Sequence, residues 1–222
     1  MSAINTTAHT TINTTPSNQT NQKGECHMRT YAICPRILKE TSAGLTLYEI
    51  QDDMLQHRVL ECTGTIDSDS VYALCRQLRY LQQEDPNGEI TMFINSPGGE
   101  VDSGLALYDV MKGISCPIRT VCMGIAASMG AVLFAAGDKR EILPHGRVMI
   151  HDPLIPSTGG SALHLEEISR NLMETRRELC EILSRHTGKT LEEIYEKTVR
   201  DCWFNADEAV AFGLADRVIH TI

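Results

Sequence analysis

Residues 89–111, EITMFINSPGGEVDSGLALYDVM, hold the pattern that decides the fold. The run at 89–96 is rich in branched and apolar residues, as is typical of a buried strand, and it ends at a Pro-Gly-Gly turn. Apolar residues then lie near helical spacing from Leu105 to Met111, which predicts a helix over 102–113. The stretch therefore predicts a strand, a tight turn and a helix in succession.

The same alternation continues on both sides of this stretch. Short runs rich in branched and apolar residues predict strands at 58–64, 118–124 and 147–152. Helical patterns at 67–84 and 129–136 separate them. Strands that alternate with helices predict an α/β fold with a mostly parallel sheet, in which catalytic residues lie beyond the carboxyl ends of the strands.

Composition narrows the class of protein. The chain has 222 residues, of which 42% are hydrophobic, and a formal net charge of -9. An acidic protein gains nothing from counterion release, so neither nucleic acid nor an anionic membrane is expected as a partner. The eight cysteines form no C-x-x-C pair, and the sequence shows neither a signal peptide nor an 18-residue apolar run. These features predict a cytoplasmic protein with free thiols and no metal or organic cofactor.

Two segments do not follow the alternation of strands and helices. Residues 1–28 are dominated by Thr, Asn, Ser and Gln, which predicts a disordered polar leader or propeptide. Residues 161–187 predict a long charged helix in which leucine recurs every seven residues, at Leu165, Leu172 and Leu179. Such a stripe either binds a partner helix or covers the sheet of its own subunit, and the pattern leaves both open.

Two small-residue segments are candidates for chemistry. The glycines of the Pro-Gly-Gly turn, Gly98 and Gly99, either form a tight turn or direct backbone N–H groups at a ligand oxygen. In GIAASMGA, residues 124–131, Ser128 is either a nucleophile at a strand-to-helix turn or a small packing residue. The backbone N–H of Met129 would then lie at a helix N-terminus, where it favours negative charge.

A nucleophilic hydroxyl needs a base and a group that orients the base. Among the eight histidines, His151 is the one that ends an apolar strand, in RVMIHDP. The orienting carboxylate is less certain from spacing. Asp152 adjoins His151 and points to the other side of an extended strand, whereas Asp201 follows a helical segment. Asp207 resembles a helix N-cap and Asp216 a turn residue, and spacing does not decide among them.

Four ordered motifs together resemble the ClpP family, the proteolytic subunits of the Clp protease, over roughly residues 30–220. They are INSPGGEVDSGLALYDVM, MGIAASMGAVLFAAGDKR, LPHGRVMIHDPL and RDCWFNADEAVAFGLAD. The resemblance implies a crotonase-like α/β fold of repeated β-β-α units with a protruding handle helix. It also implies a serine peptidase whose subunits assemble into two stacked heptameric rings around a chamber.

Carried over position by position, the resemblance assigns roles to individual residues. It implies that Ser128 is the nucleophile, His151 the general base and Asp201 the acid that orients the base. It further implies that the backbone N–H groups of Gly99 and Met129 form the oxyanion hole.

The resemblance also implies a domain plan and partners. Residues 29–48 would form an axial N-terminal segment and 49–222 the peptidase domain, with the handle at about 161–187. Arg200 would take part in contacts between rings. A Clp-family AAA+ unfoldase would deliver unfolded proteins and consume the ATP, since this chain has no P-loop.

Departures from the family pattern leave alternatives. Thr91 and Phe93 stand where two tyrosines of the family line the pocket that docks the ATPase, so weaker docking is expected. Ile155 and Pro156 replace residues that align substrate, so substrate preference is expected to differ. A specialised paralogue in a mixed ring and a pseudo-protease subunit are the alternatives. An acyl-CoA enzyme of the crotonase type is a third, although it would use carboxylates instead of an ordered Ser, His and Asp.

Overall fold

The computed structural model describes residues 36–41, 44–155 and 159–222. The chain divides into two compact units, with the boundary between His57 and Arg58. The predicted leader at 1–28, the start of the predicted axial segment and Pro156 lie outside the described residues.

The first unit contains a hairpin and a short helix. Strands β1 (Arg36–Thr41) and β2 (Gly44–Glu49) pair antiparallel, and helix α1 (Ile50–Gln56) follows directly. Glu49 and Asp52 form a reciprocal capping box at the start of α1, which satisfies two backbone N–H groups there.

The second unit is built on a seven-stranded sheet. Its strands are β3 (Val59–Ile66), β4 (Ile90–Gly99), β5 (Ile118–Ala127), β6 (Lys139–Ile142), β7 (Arg147–Ile150), β8 (Cys202–Phe204) and β9 (Arg217–Val218). Its helices are α2 (Ser68–Glu84), α3 (Val101–Gly113), α4 (Met129–Ala135), α5 (Ala162–Thr187), α6 (Leu191–Thr198) and α7 (Ala206–Phe212). The predicted strands and helices are all present, with ends that differ by up to three residues.

The sheet runs in the order β3-β4-β5-β6-β9, and every pair along this path is parallel. β5 is long enough to pair with β6 along its first half and with β7 along its second half. β8 is antiparallel to β7. The α/β class with a mostly parallel sheet is therefore confirmed.

The strands β6 and β8 are absent from the sequence prediction. β6 has the sequence KREI, and the carboxylate of Glu141 within it is 2% exposed. Arg119 and Arg217 both bind this carboxylate, through contacts of 2.5 to 2.8 Å. Burial alone would raise the pKa of Glu141, but the hydrogen bonds from Arg217 and Arg119 outweigh it and lower the pKa. A charged residue at a core position explains why apolar alternation misses this strand.

Helix α4 is the centre of the core. All seven of its residues are buried, which explains why it is apolar on every side. Small residues let its neighbours approach closely. A Cβ on Gly104 of α3 would lie 2.4 Å from Met129 Cε, and one on Gly130 would lie 3.0 Å from the Ser96 carbonyl oxygen. The small residues of GIAASMGA therefore do serve packing, apart from any chemistry at Ser128.

The six described cysteines are free, and four of them are buried. Burial raises the pKa of Cys62 to about 11 and that of Cys122 to about 12. Both thiols therefore stay protonated at neutral pH and behave as small apolar side chains. No helix in the described part of the chain is long and apolar enough to cross a membrane.

The two halves of α5 have different surroundings. The C-terminal half packs against α4 and α6, and it buries Leu179, Cys180, Ile182 and Leu183. In the N-terminal half, Leu163 is 78% exposed and Leu165 is 40% exposed. The leucine stripe therefore covers its own subunit only at one end, and the other end presents apolar side chains to the surroundings of the chain.

His186, near the end of α5, is a half-buried histidine with a neighbouring hydroxyl. Its Nε2 lies 3.1 Å from the hydroxyl oxygen of Tyr108. Burial, followed by the positive charges of Lys112, Arg140 and Arg185, lowers the pKa of His186 to about 4. The imidazole is therefore neutral in the folded protein at neutral pH.

This depressed pKa predicts a loss of stability in mild acid. The pKa of His186 is about 4 in the folded protein and 6.5 ordinarily. The stability gained by keeping this imidazole neutral is therefore fully present above pH 6.5, and it is lost as the pH falls toward 4. We expect thermal unfolding of His186→Gln to show a smaller drop in midpoint between about pH 7 and about pH 4.5 than the wild type. The exposed His145 gives the matched control, His145→Gln. An equal drop in wild type and both variants would contradict the prediction.

Candidate active site

Ser128 lies between the end of β5 and the start of α4, at a bend with unusual backbone angles. Its φ is 55° and its ψ is −123°. In the described part of the chain, Arg58 is the other non-glycine residue with positive φ. The Ser128 N–H donates to the carbonyl oxygen of Met149 at 2.9 Å, which anchors the bend to β7. Strain of this kind is held only where the surrounding structure fixes it.

The Pro-Gly-Gly turn packs directly against this bend. A Cβ on Gly98, whose φ is 97°, would lie 2.6 Å from the Cβ of Ser128. A Cβ on Gly99 would lie 2.0 Å from the carbonyl oxygen of Ile66. The Ser96 hydroxyl accepts the Gly98 N–H at 3.0 Å and so holds the turn in place. Only residues without a side chain fit here, and they bring backbone groups close to Ser128.

His151 is placed beside Ser128 by the pairing of β7 with β5. Ala127 pairs with Met149 in this parallel ladder, so both strands end at the same edge of the sheet. His151 follows β7, and its Nε2 lies 2.8 Å from Ser128 Oγ. This distance is within the range for a hydrogen bond between a hydroxyl and an imidazole.

Asp201 reaches the other side of the imidazole through β8. Ile150 pairs with Cys202 in the antiparallel ladder, so the residues just outside it, His151 and Asp201, lie next to each other. Asp201 Oδ1 lies 3.2 Å from His151 Nδ1. The His151 side chain is 15% exposed, whereas the Asp201 side chain is 62% exposed. The contact is therefore shielded at the imidazole and open to solvent at the carboxylate.

The other candidate carboxylates have different surroundings. Asp152 accepts a hydrogen bond from Arg176, and Asp216 binds Arg140. Asp207 is the second residue of α7, whose N-cap is Asn205, so the expectation that Asp207 is an N-cap is wrong. Asp201 is thus the carboxylate that the structure brings to His151.

A cavity of about 210 Å³ is lined by Ser128 and His151. Gly99 and Met129 line it together with these two residues. The rest of the lining is mostly apolar: Val101, Val132, Ile150, Pro153, Leu154, Leu179, Cys180, Leu183 and Thr198. The cavity therefore suits an apolar group that is held next to the hydroxyl-bearing Ser128 and the imidazole of His151.

Other residues that the sequence analysis named lie outside the cavity lining. Arg200, expected to make contacts between rings, is exposed and adjoins Asp201. Phe93 is 9% exposed, and Ile155 is 40% exposed. Sequence reasoning missed Arg176, which binds the residue after His151, because 24 residues and no shared periodicity separate Arg176 from Asp152.

Comparison with protein families shows which family the chain resembles. The family described as Clp protease matches residues 42–222. The matched span contains all seven strands of the larger sheet and the cavity, and the α/β architecture agrees with a ClpP-type fold. Since the match extends over most of the chain, the protein belongs to the Clp protease family and is a Clp-type peptidase.

Proposed function

We propose that the chain is a serine endopeptidase subunit that hydrolyses unfolded proteins to short peptides. The observation that carries the proposal is the hydrogen-bonded series at the edge of the sheet. Ser128 Oγ lies 2.8 Å from His151 Nε2, and His151 Nδ1 lies 3.2 Å from Asp201 Oδ1. Nucleophile, base and orienting carboxylate stand in the order that acyl transfer requires.

The first step is attack on the peptide carbonyl. Ser128 Oγ forms a bond to the carbonyl carbon while His151 Nε2 takes the hydroxyl proton. His151 Nδ1–H donates to Asp201, which holds the imidazole in the required tautomer and favours the imidazolium. The imidazolium then protonates the leaving amine, and a water molecule hydrolyses the acyl-enzyme by the same route in reverse.

The oxyanion would be held by the backbone N–H groups of Gly99 and Met129. Both residues line the cavity next to Ser128. Met129 is the first residue of α4, and the N–H groups at a helix N-terminus favour negative charge. The close packing of Gly98 on Ser128 supports this role, because it keeps the glycine turn next to the nucleophile.

The walls of the cavity indicate which substrate side chain is accepted. Leu179 and Leu183 of α5 line the cavity next to Ser128 together with Val101 and Val132. Burial of an apolar side chain there contributes about 1.5 to 3 kcal/mol. We therefore propose cleavage next to medium-sized apolar residues, which unfolded proteins expose and folded proteins bury.

The proposal includes assembly into two stacked heptameric rings that a Clp-family AAA+ unfoldase supplies. The N-terminal half of α5 supports assembly, because Leu163, Leu165 and Met173 are exposed. Exposed apolar side chains on a helix end are stabilised when a partner covers them. A mixed ring with a paralogue is the alternative form of the same proposal.

Removal of the hydroxyl tests the nucleophile. We expect Ser128→Ala to lower kcat for a fluorogenic peptide by on the order of 10⁶-fold, because base and carboxylate cannot act without it. The variant is also expected to lose labelling by a fluorophosphonate probe. Ser115→Ala, at an exposed serine, is the matched control. Peptide cleavage by purified Ser128→Ala at the wild-type rate would sink the proposal.

Neutralisation of the carboxylate tests the orienting role of Asp201. We expect Asp201→Asn to lower kcat by about 10³ to 10⁴-fold, because the amide favours the wrong imidazole tautomer. Asp207→Asn, at an exposed carboxylate of α7, is the matched control. A kcat for Asp201→Asn within about threefold of that of Asp207→Asn would show that Asp201 is not one of the catalytic residues.

A charge in the exposed N-terminal half of α5 tests assembly. We expect the purified wild type to sediment as an oligomer and Leu163→Glu to sediment as smaller species, since a buried charge without a partner is costly. Circular dichroism checks that the variant is folded. A monomeric wild type, or a Leu163→Glu variant that assembles as fully as the wild type, would contradict a role of this half of α5 in assembly.

A further inference from the structure

The residue that follows His151 is tied to helix α5. Asp152 Oδ2 accepts a hydrogen bond from Arg176 Nε at 2.6 Å. The two side chains are 27% and 20% exposed, so the pair is largely shielded from water. The other carboxylate oxygen, Oδ1, is buried and has no hydrogen-bond partner in the described part of the chain. Arg176 therefore provides the positive charge that balances the carboxylate of Asp152.

Arg176 also contacts the segment that leads to Asp201. Its guanidinium carbon lies 4.3 Å from the centre of the Tyr195 ring in α6, as in a cation–π contact. The Asp152 N–H donates to the carbonyl oxygen of Thr198, the last residue of α6, at 2.7 Å. Asp201 follows Thr198 by three residues. One arginine thus joins the chain segment of His151 to the chain segment of Asp201.

The side-chain contact between His151 and Asp201 is a weak restraint by itself. The carboxylate of Asp201 is 62% exposed, and an exposed ion pair contributes little free energy. The position of His151 therefore also depends on the backbone on either side of it, while Asp201 selects the tautomer of the imidazole. β7 fixes the residue before His151, and the contacts of Asp152 fix the residue after it.

From these contacts we propose that Arg176 is a positioning residue for catalysis: it holds His151 and Asp201 in register by binding Asp152 and Tyr195 together. Arg176 does not touch the reacting atoms, so its effect passes through the backbone at residue 152. The inference rests on the proposed serine peptidase function. It adds a requirement on α5, the helix that also forms a wall of the cavity.

We expect the loss of Arg176 alone to lower the catalytic rate more than the loss of both charges of the Arg176–Asp152 pair. In Arg176→Gln the Asp152 carboxylate stays in a shielded position without a compensating charge, so it turns toward water and moves the adjoining His151. A displacement of about 1 Å at a catalytic group costs on the order of 100-fold in rate. In the double variant Arg176→Gln with Asp152→Asn, no uncompensated charge remains, and His151 keeps its place more closely.

The test compares adjacent arginines of the same helix. Arg177 is 72% exposed and pairs with Glu181, so Arg177→Gln is the matched control for Arg176→Gln. The rate of fluorophosphonate labelling at Ser128, and kcat and KM for a short peptide, are measured on the assembled protein. We expect Arg176→Gln to lower kcat and the labelling rate by roughly 10-fold to 100-fold, with KM changed by less than about threefold. In the double variant Arg176→Gln with Asp152→Asn, the decrease in log kcat relative to the wild type is expected to be at most half of the decrease in Arg176→Gln.

Each outcome decides between supporting and overturning the inference. It is overturned if folded Arg176→Gln reacts at the rate of Arg177→Gln, if the loss is in KM alone, or if Asp152→Asn restores nothing. If Arg176→Gln does not fold, Arg176→Lys decides. Lysine keeps the charge but loses the Nε bond and the flat face on Tyr195, so a roughly threefold to tenfold lower kcat is expected and a wild-type kcat overturns the inference. A wild type that neither labels nor cleaves would instead count against the proposed function.

Discussion

The pairing of β7 with two different partners is the constraint on which the candidate site depends. On one edge, β7 is parallel to β5, and this pairing brings the end of β7 to the bend at Ser128. On the other edge, β7 is antiparallel to β8, and this pairing brings the start of β8 to the same place. A slip of one residue in either ladder would turn His151 or Asp201 to the opposite face of the sheet. The register of these two short ladders therefore determines whether the Ser128 hydroxyl, the His151 imidazole and the Asp201 carboxylate meet.

Local periodicity was sufficient to predict the α/β class and the main elements. The alternation of branched runs with helical spacing around residues 89–111 predicts β4 and α3, and the structure confirms both. Asp67 and Ser161 cap α2 and α5 within a residue of the predicted starts. Periodicity failed at β6, because its core position is filled by the ion pairs of Glu141 with Arg119 and Arg217 rather than by an apolar residue.

The candidate site was predictable only in part from residue patterns. The end of an apolar strand distinguished His151, and a small-residue turn distinguished Ser128, whereas four aspartates remained possible as the third member. The choice of Asp201 depends on the pairing of β8 with β7, and β8 has only three residues. So short a strand carries no periodicity, so the resemblance to the family, not the pattern, singled out Asp201 in advance. The pair of Asp152 with Arg176 depends on tertiary packing of α5 and has no local signal at all.

The bend at Ser128 has a consequence for the thermodynamics of the chain. A serine held at positive φ stores strain on the order of 1–3 kcal/mol, which glycine would not. Glycine carries no hydroxyl, so the proposed chemistry excludes the residue that the backbone would favour. Stability and activity therefore require different residues at position 128. Glycine would relieve the backbone strain, but it would also remove the nucleophile.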